Sequence, residues 1–111
     1  MHEFSIAEAI CELAQRSTPA GCTLRRVKVI AGPMRCIDRT AMNLAWNALM
    51  RERCTPGVAL DLELPPWSLL CPRCRRRWQS DALDTLCICG FDSPTPIGGD
   101  ELQLISIEVD D

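Results

Sequence analysis

Residues 58–66 have the sequence VALDLELPP, which contains the clearest strand pattern in the chain. Large apolar residues alternate there with Ala59, Asp61 and Glu63, and this period of two predicts a strand with one buried and one solvated face. Pro65 and Pro66 follow at once, and neither can donate a backbone hydrogen bond to a sheet. The sequence therefore predicts that a strand ends here and that a different structural unit begins.

The residues ahead of this strand begin with a predicted helix and a predicted strand. Ser5 and Glu8 have the spacing of a capping box at a helix start. The apolar residues that follow recur at helical intervals: Ile6, Ala7, Ile10, Leu13 and Ala14. Residues 18–21, Thr-Pro-Ala-Gly, end this helix. Residues 24–30 are rich in β-branched side chains and predict a strand.

A second helix is predicted after the break at Gly32 and Pro33. Asp38 suits the N-cap position of this helix. Its apolar stripe contains Met42, Ala45, Trp46 and Leu49. The Thr-Pro-Gly segment at residues 55–57 closes it.

Regular apolar spacing returns only near the carboxyl end, at residues 102–109. The apolar face switches there between Leu104 and Ile105, which predicts a bulge or an edge position. This last strand needs a partner, and the two earlier strands are the nearest. The cysteine-rich segment between them is therefore an insertion.

We accordingly expect an α+β fold. Residues 1–66 and 100–111 are predicted to form a small domain with two helices and a three-stranded sheet. Residues 67–99 are predicted to form an inserted, zinc-ribbon-like domain, because their apolar periodicity is weak and they hold four cysteines.

Composition excludes several classes of protein. The chain has 111 residues, a net charge of −3 and 47% hydrophobic residues, which argues against wholesale disorder and against a generic polyanion binder. No apolar run approaches the roughly 20 residues that span a bilayer. The first residues lack the basic and apolar regions of a signal peptide, so we expect a cytoplasmic protein with reduced thiols. Its paired cysteines are then interpreted first as metal ligands.

Two short cysteine pairs predict a zinc site. Cys71-Pro-Arg-Cys74 is followed by Cys87-Ile-Cys89, and zinc prefers four tetrahedral ligands of this kind. Four thiolates leave no open position for water, so the zinc would be structural rather than catalytic. A redox dithiol or incidental thiols are the alternative. Because only one residue separates Cys87 from Cys89, either Cys87 approaches the metal from an unusual direction or another group supplies that ligand. Cys11 falls near the first helical stripe and is expected to be a core thiol.

Four arginines lie within or directly after the first cysteine pair, with a tryptophan beside them: Arg73, Arg75, Arg76, Arg77 and Trp78. This cluster is compatible with a nucleic-acid-binding zinc ribbon or, more simply, with a solvated loop face. An enzyme is disfavoured, because the chain has no phosphate-binding glycine loop and no second histidine for a triad or a zincin site.

His2 is the only histidine in the sequence. The α-amine of Met1, the backbone amide of His2 and the His2 imidazole can close two fused chelate rings on one metal ion. A nitrogen-rich, in-plane donor set of this kind suits nickel(II) or copper(II) rather than magnesium or calcium. A single histidine is more often a surface or capping residue, and the spacing alone leaves both interpretations open.

The order of these features resembles the HypA/HybF family of hydrogenase maturation factors. The resemblance covers essentially the whole chain: the Met-His-Glu-Phe-Ser start, the loop over residues 32–38, the inserted cysteine region and the final strand, residues 101–109. Members of that family carry nickel to the metallocentre of [NiFe]-hydrogenases, and some also serve urease. They contain a nickel-binding α/β domain and a zinc domain.

The resemblance implies particular site residues and partners. The nickel site falls on His2, with Glu3 and Asp38 as supporting or candidate ligands. The zinc site falls on Cys71, Cys74, Cys87 and Cys89. The implied partners are a nickel-handling GTPase and the hydrogenase large subunit, with neither nucleic acid nor a membrane. The implied function is a nickel metallochaperone rather than an enzyme. A zinc-ribbon nucleic-acid or transcription-associated module is the alternative.

Overall fold

The computed structural model describes residues 2–53 and 57–111. The elements in chain order are α1 (His2–Ser17), β1 (Thr23–Ala31), a 3-10 turn (Pro33–Arg35), α2 (Arg39–Glu52), β2 (Ala59–Glu63), β3 (Trp67–Leu70), β4 (Arg77–Ser80), β5 (Thr95–Pro96) and β6 (Leu102–Asp110). Met1 lies outside the described residues, and so do two of the three residues, 55–57, that were expected to close the second helix. Neither described helix has the length and apolar character needed to cross a membrane.

The first sheet joins strands that are far apart in the sequence. Its order is β2-β1-β6. The central strand β1 is parallel to β2, to which α2 connects it, and antiparallel to β6. Lys28 lies opposite Ser106 but Val29 lies opposite Leu104, so Ile105 is the extra residue of a β-bulge on an edge strand. The pairing of the last strand with an earlier one is confirmed, as is the predicted bulge.

The apolar core lies where both helices pack against each other and against this sheet. Its buried members are Ala7, Ile10, Cys11, Ala14, Val27, Val29, Ala31, Met42, Ala45, Trp46, Leu49, Met50 and Leu62. Cys11 is confirmed as a core thiol. Leu13, which was expected on the buried stripe of α1, is 42% exposed, because the buried face of the helix is centred on Ala7, Cys11 and Ala14.

The start of α1 differs from the prediction. The helix begins at His2, so Ser5 lies inside it and is not its N-cap. Two contacts with the loop ahead of α2 hold the additional turn. His2 Nε2 lies 2.8 Å from the carbonyl oxygen of Arg35, and the Asp38 backbone N–H donates to Glu3 Oε2 at 3.3 Å. These partners are distant in sequence, so the local pattern could not reveal them.

Residues 67–99 contain a second sheet, which periodicity did not predict. Its order is β4-β3-β5, and both pairings are antiparallel. Its strands have four residues or fewer, too short for an alternating pattern to show. Within this segment only Leu69, Cys71 and Cys87 are buried hydrophobic residues. The α+β fold class is confirmed, and the inserted sheet has almost no apolar core.

The chain returns to the first sheet through residues 98–101, here called the return segment. This segment packs on the residues that follow β1. The Gly32 N–H donates to the carbonyl of residue 101 at 2.8 Å, and the Met34 N–H donates to the carbonyl of Gly99 at 2.7 Å. A Cβ at Gly32 would collide with the Gly99 carbonyl group, and Gly99 has a φ of +95°. Glycine is therefore needed on both sides of this contact.

Candidate metal sites

Four cysteines from two turns of the inserted sheet gather at one point. The Sγ atoms of Cys71, Cys74, Cys87 and Cys89 all lie within 4.8 Å of one another. Cys74 and Cys87 are 3.5 Å apart, and Cys71 and Cys89 are 3.7 Å apart. A tetrahedral zinc ion with Zn–S distances of about 2.3 Å places its sulfurs about 3.8 Å apart. The cluster therefore fits zinc, and the structure brings all four predicted ligands together, Cys87 included.

The first cysteine pair lies in a tight turn directly after β3. The Cys71 N–H donates to the Arg76 carbonyl, and the Arg75 N–H donates to the Cys71 carbonyl, both at 2.8 Å. Arg75 adopts a left-handed conformation with a φ of 68°. The Cys74 N–H points at Cys71 Sγ at 3.4 Å. A backbone N–H directed at sulfur stabilises the thiolate form, which is the form that binds a metal.

The second cysteine pair lies in a shorter version of the same turn. The Gly90 N–H donates to the Cys87 carbonyl at 2.8 Å, and the Cys87 N–H donates to the Phe91 carbonyl at 3.0 Å. Each of these bonds spans one residue fewer than its counterpart in the first turn. Gly90 supplies the positive φ, at 92°, that closes this turn. The shorter turn explains how a one-residue spacer still directs both sulfurs to the cluster.

The pKa values of Cys71, Cys74 and Cys87 are shifted in different directions. The Cys89 N–H lowers the pKa of Cys87 to about 6, with burial opposing it and the neighbouring thiols assisting. Burial acts to raise the pKa of Cys71, but backbone N–H groups and neighbouring thiols outweigh it and the pKa is lowered. The Arg76 N–H acts to lower the pKa of Cys74, but contact with Cys87, burial and the other thiols raise it to about 11. A divalent cation would relieve this competition by binding all four as thiolates.

The predicted nickel residues lie at the start of α1 and on the loop that precedes α2. His2 and Glu3 contact that loop as described above. Asp38 Oδ2 accepts a hydrogen bond from the Ala41 N–H at 2.8 Å, which confirms its predicted role as the N-cap of α2. In the part of the chain that the structure describes, the four cysteines are the only group of three or more potential metal-binding side chains with converging ligand atoms. His2, Glu3 and Asp38 are therefore neighbours rather than a preassembled cluster.

No pattern in the sequence indicates that Arg35 contacts His2. Its carbonyl oxygen contacts His2 Nε2, and its side-chain Nε donates to the Asp100 carbonyl at 2.8 Å. A backbone carbonyl has the same chemistry in every residue, so no motif marks this one. Only the folded arrangement of α1 against the loop reveals it.

The arginine-rich segment makes one aromatic contact inside the inserted sheet. The guanidinium carbon of Arg76 lies 4.9 Å from the centre of the Trp78 ring, within the range of a cation–π contact. Trp78 Nε1 also donates to Thr85 Oγ1 at 3.1 Å. Three further arginines of this segment are exposed: Arg73, Arg75 and Arg77. The arginine–tryptophan pair therefore contributes to the internal packing of this sheet.

The fold and the cysteine site define a class of protein. The chain is a small α+β protein in which a four-cysteine cluster that could hold a metal ion lies between β2 and β6, two strands of the sheet that packs on both helices. Its exposed histidine lies at the first residue of the first helix.

Comparison with known proteins specifies the family. Residues 1–109 match the family model described as "HypA: Hydrogenase/urease nickel incorporation, metallochaperone, hypA". A hydrogenase maturation factor HypA from Cereibacter sphaeroides is 27% identical over 112 residues, covering 98% of this chain and 99% of the relative. One from Desulfosudis oleivorans is 26% identical over 113 residues, covering 98% of each. The solution structure of the Ni metallochaperone HypA from Helicobacter pylori has a TM-score of 0.59 at 25% identity, covering 97% of each chain. This chain belongs to the HypA family of nickel metallochaperones for hydrogenase maturation.

Proposed function

We propose that this protein binds Ni(II) at its amino terminus and delivers it for the maturation of a [NiFe]-hydrogenase. The observation that carries the proposal is the match of residues 1–109 to a nickel-incorporation family. The position of His2 supports it, because this side chain is exposed at the start of α1. Delivery requires that the ion leave its site again, and an exposed site with few protein ligands suits that requirement.

His2 is the principal nickel ligand in this proposal. It offers its ring and its backbone amide, and the α-amine of Met1 completes the fused chelate. The first N–H groups of a helix have no intrahelical acceptor, so the His2 amide is not required to hold α1 together. Glu3 follows it in the chain and accepts a hydrogen bond from the Asp38 backbone N–H, and both residues offer carboxylate oxygens as further ligands.

The four cysteines hold a structural zinc ion in this proposal. A closed four-thiolate site retains its metal and leaves no position for substrate or water. The metal stabilises residues 67–99, which bury few apolar side chains. We accordingly divide the chain into a nickel-binding α/β domain, residues 1–66 and 100–111, and an inserted zinc-binding domain, residues 67–99.

The protein acts in the cytoplasm as a binding and delivery protein and not as an enzyme. The family description, nickel incorporation into hydrogenase and urease, implies that the ion is received and passed on. The proposed partners are accordingly the nickel-handling GTPase of the hydrogenase maturation pathway and the hydrogenase large subunit.

Metal analysis of matched variants tests this assignment. We expect about one zinc ion per purified chain and about one further nickel ion after titration. His2→Ala should lose the nickel and keep the zinc, whereas Cys74→Ala should lose the zinc. Nickel bound to His2→Ala with unchanged stoichiometry and affinity would contradict the proposal. A steep salt dependence of DNA binding by zinc-loaded protein, without specific nickel binding, would instead favour the nucleic-acid module.

A further inference from the structure

The contact between His2 and Arg35 determines which ring nitrogen of His2 is free. Nε2 lies 2.8 Å from the Arg35 carbonyl oxygen. A carbonyl oxygen only accepts hydrogen bonds, so Nε2 carries the ring hydrogen and donates it. In the neutral imidazole the lone pair is then on Nδ1. Nδ1 is also the nitrogen that closes a six-membered chelate ring with the backbone nitrogen of the same residue, whereas Nε2 lies on the far side of the ring.

Arg35 is fixed in position independently of His2. Its N–H donates to the Gly32 carbonyl at 3.0 Å, and its side-chain Nε donates to the Asp100 carbonyl at 2.8 Å. The preceding residue, Met34, donates to Gly99 at 2.7 Å. The Arg35 carbonyl is therefore held by the loop itself and by the return segment, and it provides a fixed acceptor for the His2 ring.

We propose that Arg35 is a positioning residue for nickel binding. Its carbonyl fixes the His2 ring in the orientation and tautomer that present Nδ1 to the metal, and its side chain fixes that carbonyl against the return segment. This inference rests on the proposed nickel site. Histidines that bind metals commonly donate their second ring N–H to a carbonyl or carboxylate, and loss of such a partner typically costs about 10–100-fold in metal affinity.

Methylation of single ring nitrogens tests the role of the carbonyl. A synthetic peptide of residues 1–10, ligated to the remainder of the chain at Cys11, yields the full-length protein with a methyl group on either His2 Nε2 or His2 Nδ1. Nε2 methylation keeps the lone pair on Nδ1 but removes the bond to Arg35 and displaces the ring from that carbonyl, and we expect it to weaken nickel binding about tenfold. Nδ1 methylation should abolish specific binding. In the free 1–10 peptide, which lacks Arg35, Nε2 methylation should leave nickel affinity unchanged.

Arginine variants test the role of the side chain. Arg35→Ala should weaken nickel binding severalfold in the unmodified protein and have no further effect when Nε2 is already methylated, because both changes remove the same constraint. Arg39→Ala is the matched control, since Arg39 Nη1 also donates to a backbone carbonyl, that of Leu62, at 2.7 Å. It should leave nickel affinity unchanged. Zinc content should be constant throughout.

The outcomes separate the two claims. If Nε2 methylation or Arg35→Ala leaves nickel affinity unchanged while Nδ1 methylation abolishes binding, His2 is a ligand but Arg35 does not position it. Unchanged affinity after Nδ1 methylation would overturn the His2 nickel site itself. An equal loss on Nε2 methylation in the peptide and in the protein would attribute the effect to the methyl group and contradict the inference.

Discussion

Removal of zinc is expected to unfold residues 67–99 and to leave the proposed nickel-binding domain, residues 1–66 and 100–111 and here called the helical domain, folded. Leu69 is the only large aliphatic side chain that this segment buries completely, and its burial contributes about 1.5–3 kcal/mol. A structural zinc ion in a small domain contributes about 10–16 kcal/mol. The metal therefore outweighs the apolar core of this segment several times over. In the helical domain the core extends over both helices and the first sheet, and none of its members belongs to the four-cysteine cluster.

Backbone amide NMR measures this difference residue by residue. After chelation, or in Cys74→Ala, the signals of residues 67–99 should collapse toward unfolded positions, while those of α1, β1 and α2 remain dispersed. Cys22→Ala is the control, because the Cys22 thiol lies near Asp111 and not in the cluster. Dispersed signals from residues 67–99 in protein shown to be free of zinc would show that the metal is not needed to fold this segment.

Three further predictions concern the helical domain. Leu49→Ala should lower the free energy of unfolding by about 2–5 kcal/mol in urea titrations without changing zinc content, because Leu49 is 1% exposed and belongs to the core. Asp38→Asn should keep the α2 cap, whereas Asp38→Ala should lower the free energy of unfolding by about 1 kcal/mol. Both variants should weaken nickel binding equally in calorimetry, because both remove the carboxylate. Unchanged nickel affinity would remove Asp38 from the ligand set. Burial raises the pKa of the Cys11 thiol above its ordinary 9.0. The folded state therefore favours the neutral thiol, and the stability that this thiol contributes is complete below about pH 9. That stability is lost as the pH rises from there through the pKa of the folded state. In urea titrations, the free energy of unfolding should therefore fall less between pH 7 and pH 10 in Cys11→Ala than in the unchanged protein.

Patterns that repeat within one element predicted most of the helical domain. The alternation over residues 58–64 marked β2, whose Leu62 is buried, and the face switch at Ile105 marked the bulge. The first turn of α1 was missed because it is held by Arg35 and Asp38, which belong to another part of the chain. Local propensity contains no information about such partners.

The inserted sheet was only partly predictable for a different reason. Cysteine spacing marked the metal ligands, but strands of two to four residues show no period. The position of Cys87 was left open by its one-residue spacer. The shortened hydrogen-bonded turn at Gly90, which brings this thiol to the cluster, is a property of backbone geometry that spacing alone does not express.

Calorimetric nickel titration determines whether the amino terminus binds the nickel ion. Three zinc-loaded proteins are compared at one pH: the untagged chain, His2→Ala, and the chain with additional residues ahead of Met1, which convert the α-amine into an amide. We expect specific binding of about one nickel ion to the untagged chain and a large loss of affinity in the other two, with equal zinc content in all three. Equal nickel affinity in all three proteins would contradict nickel binding by the amino terminus.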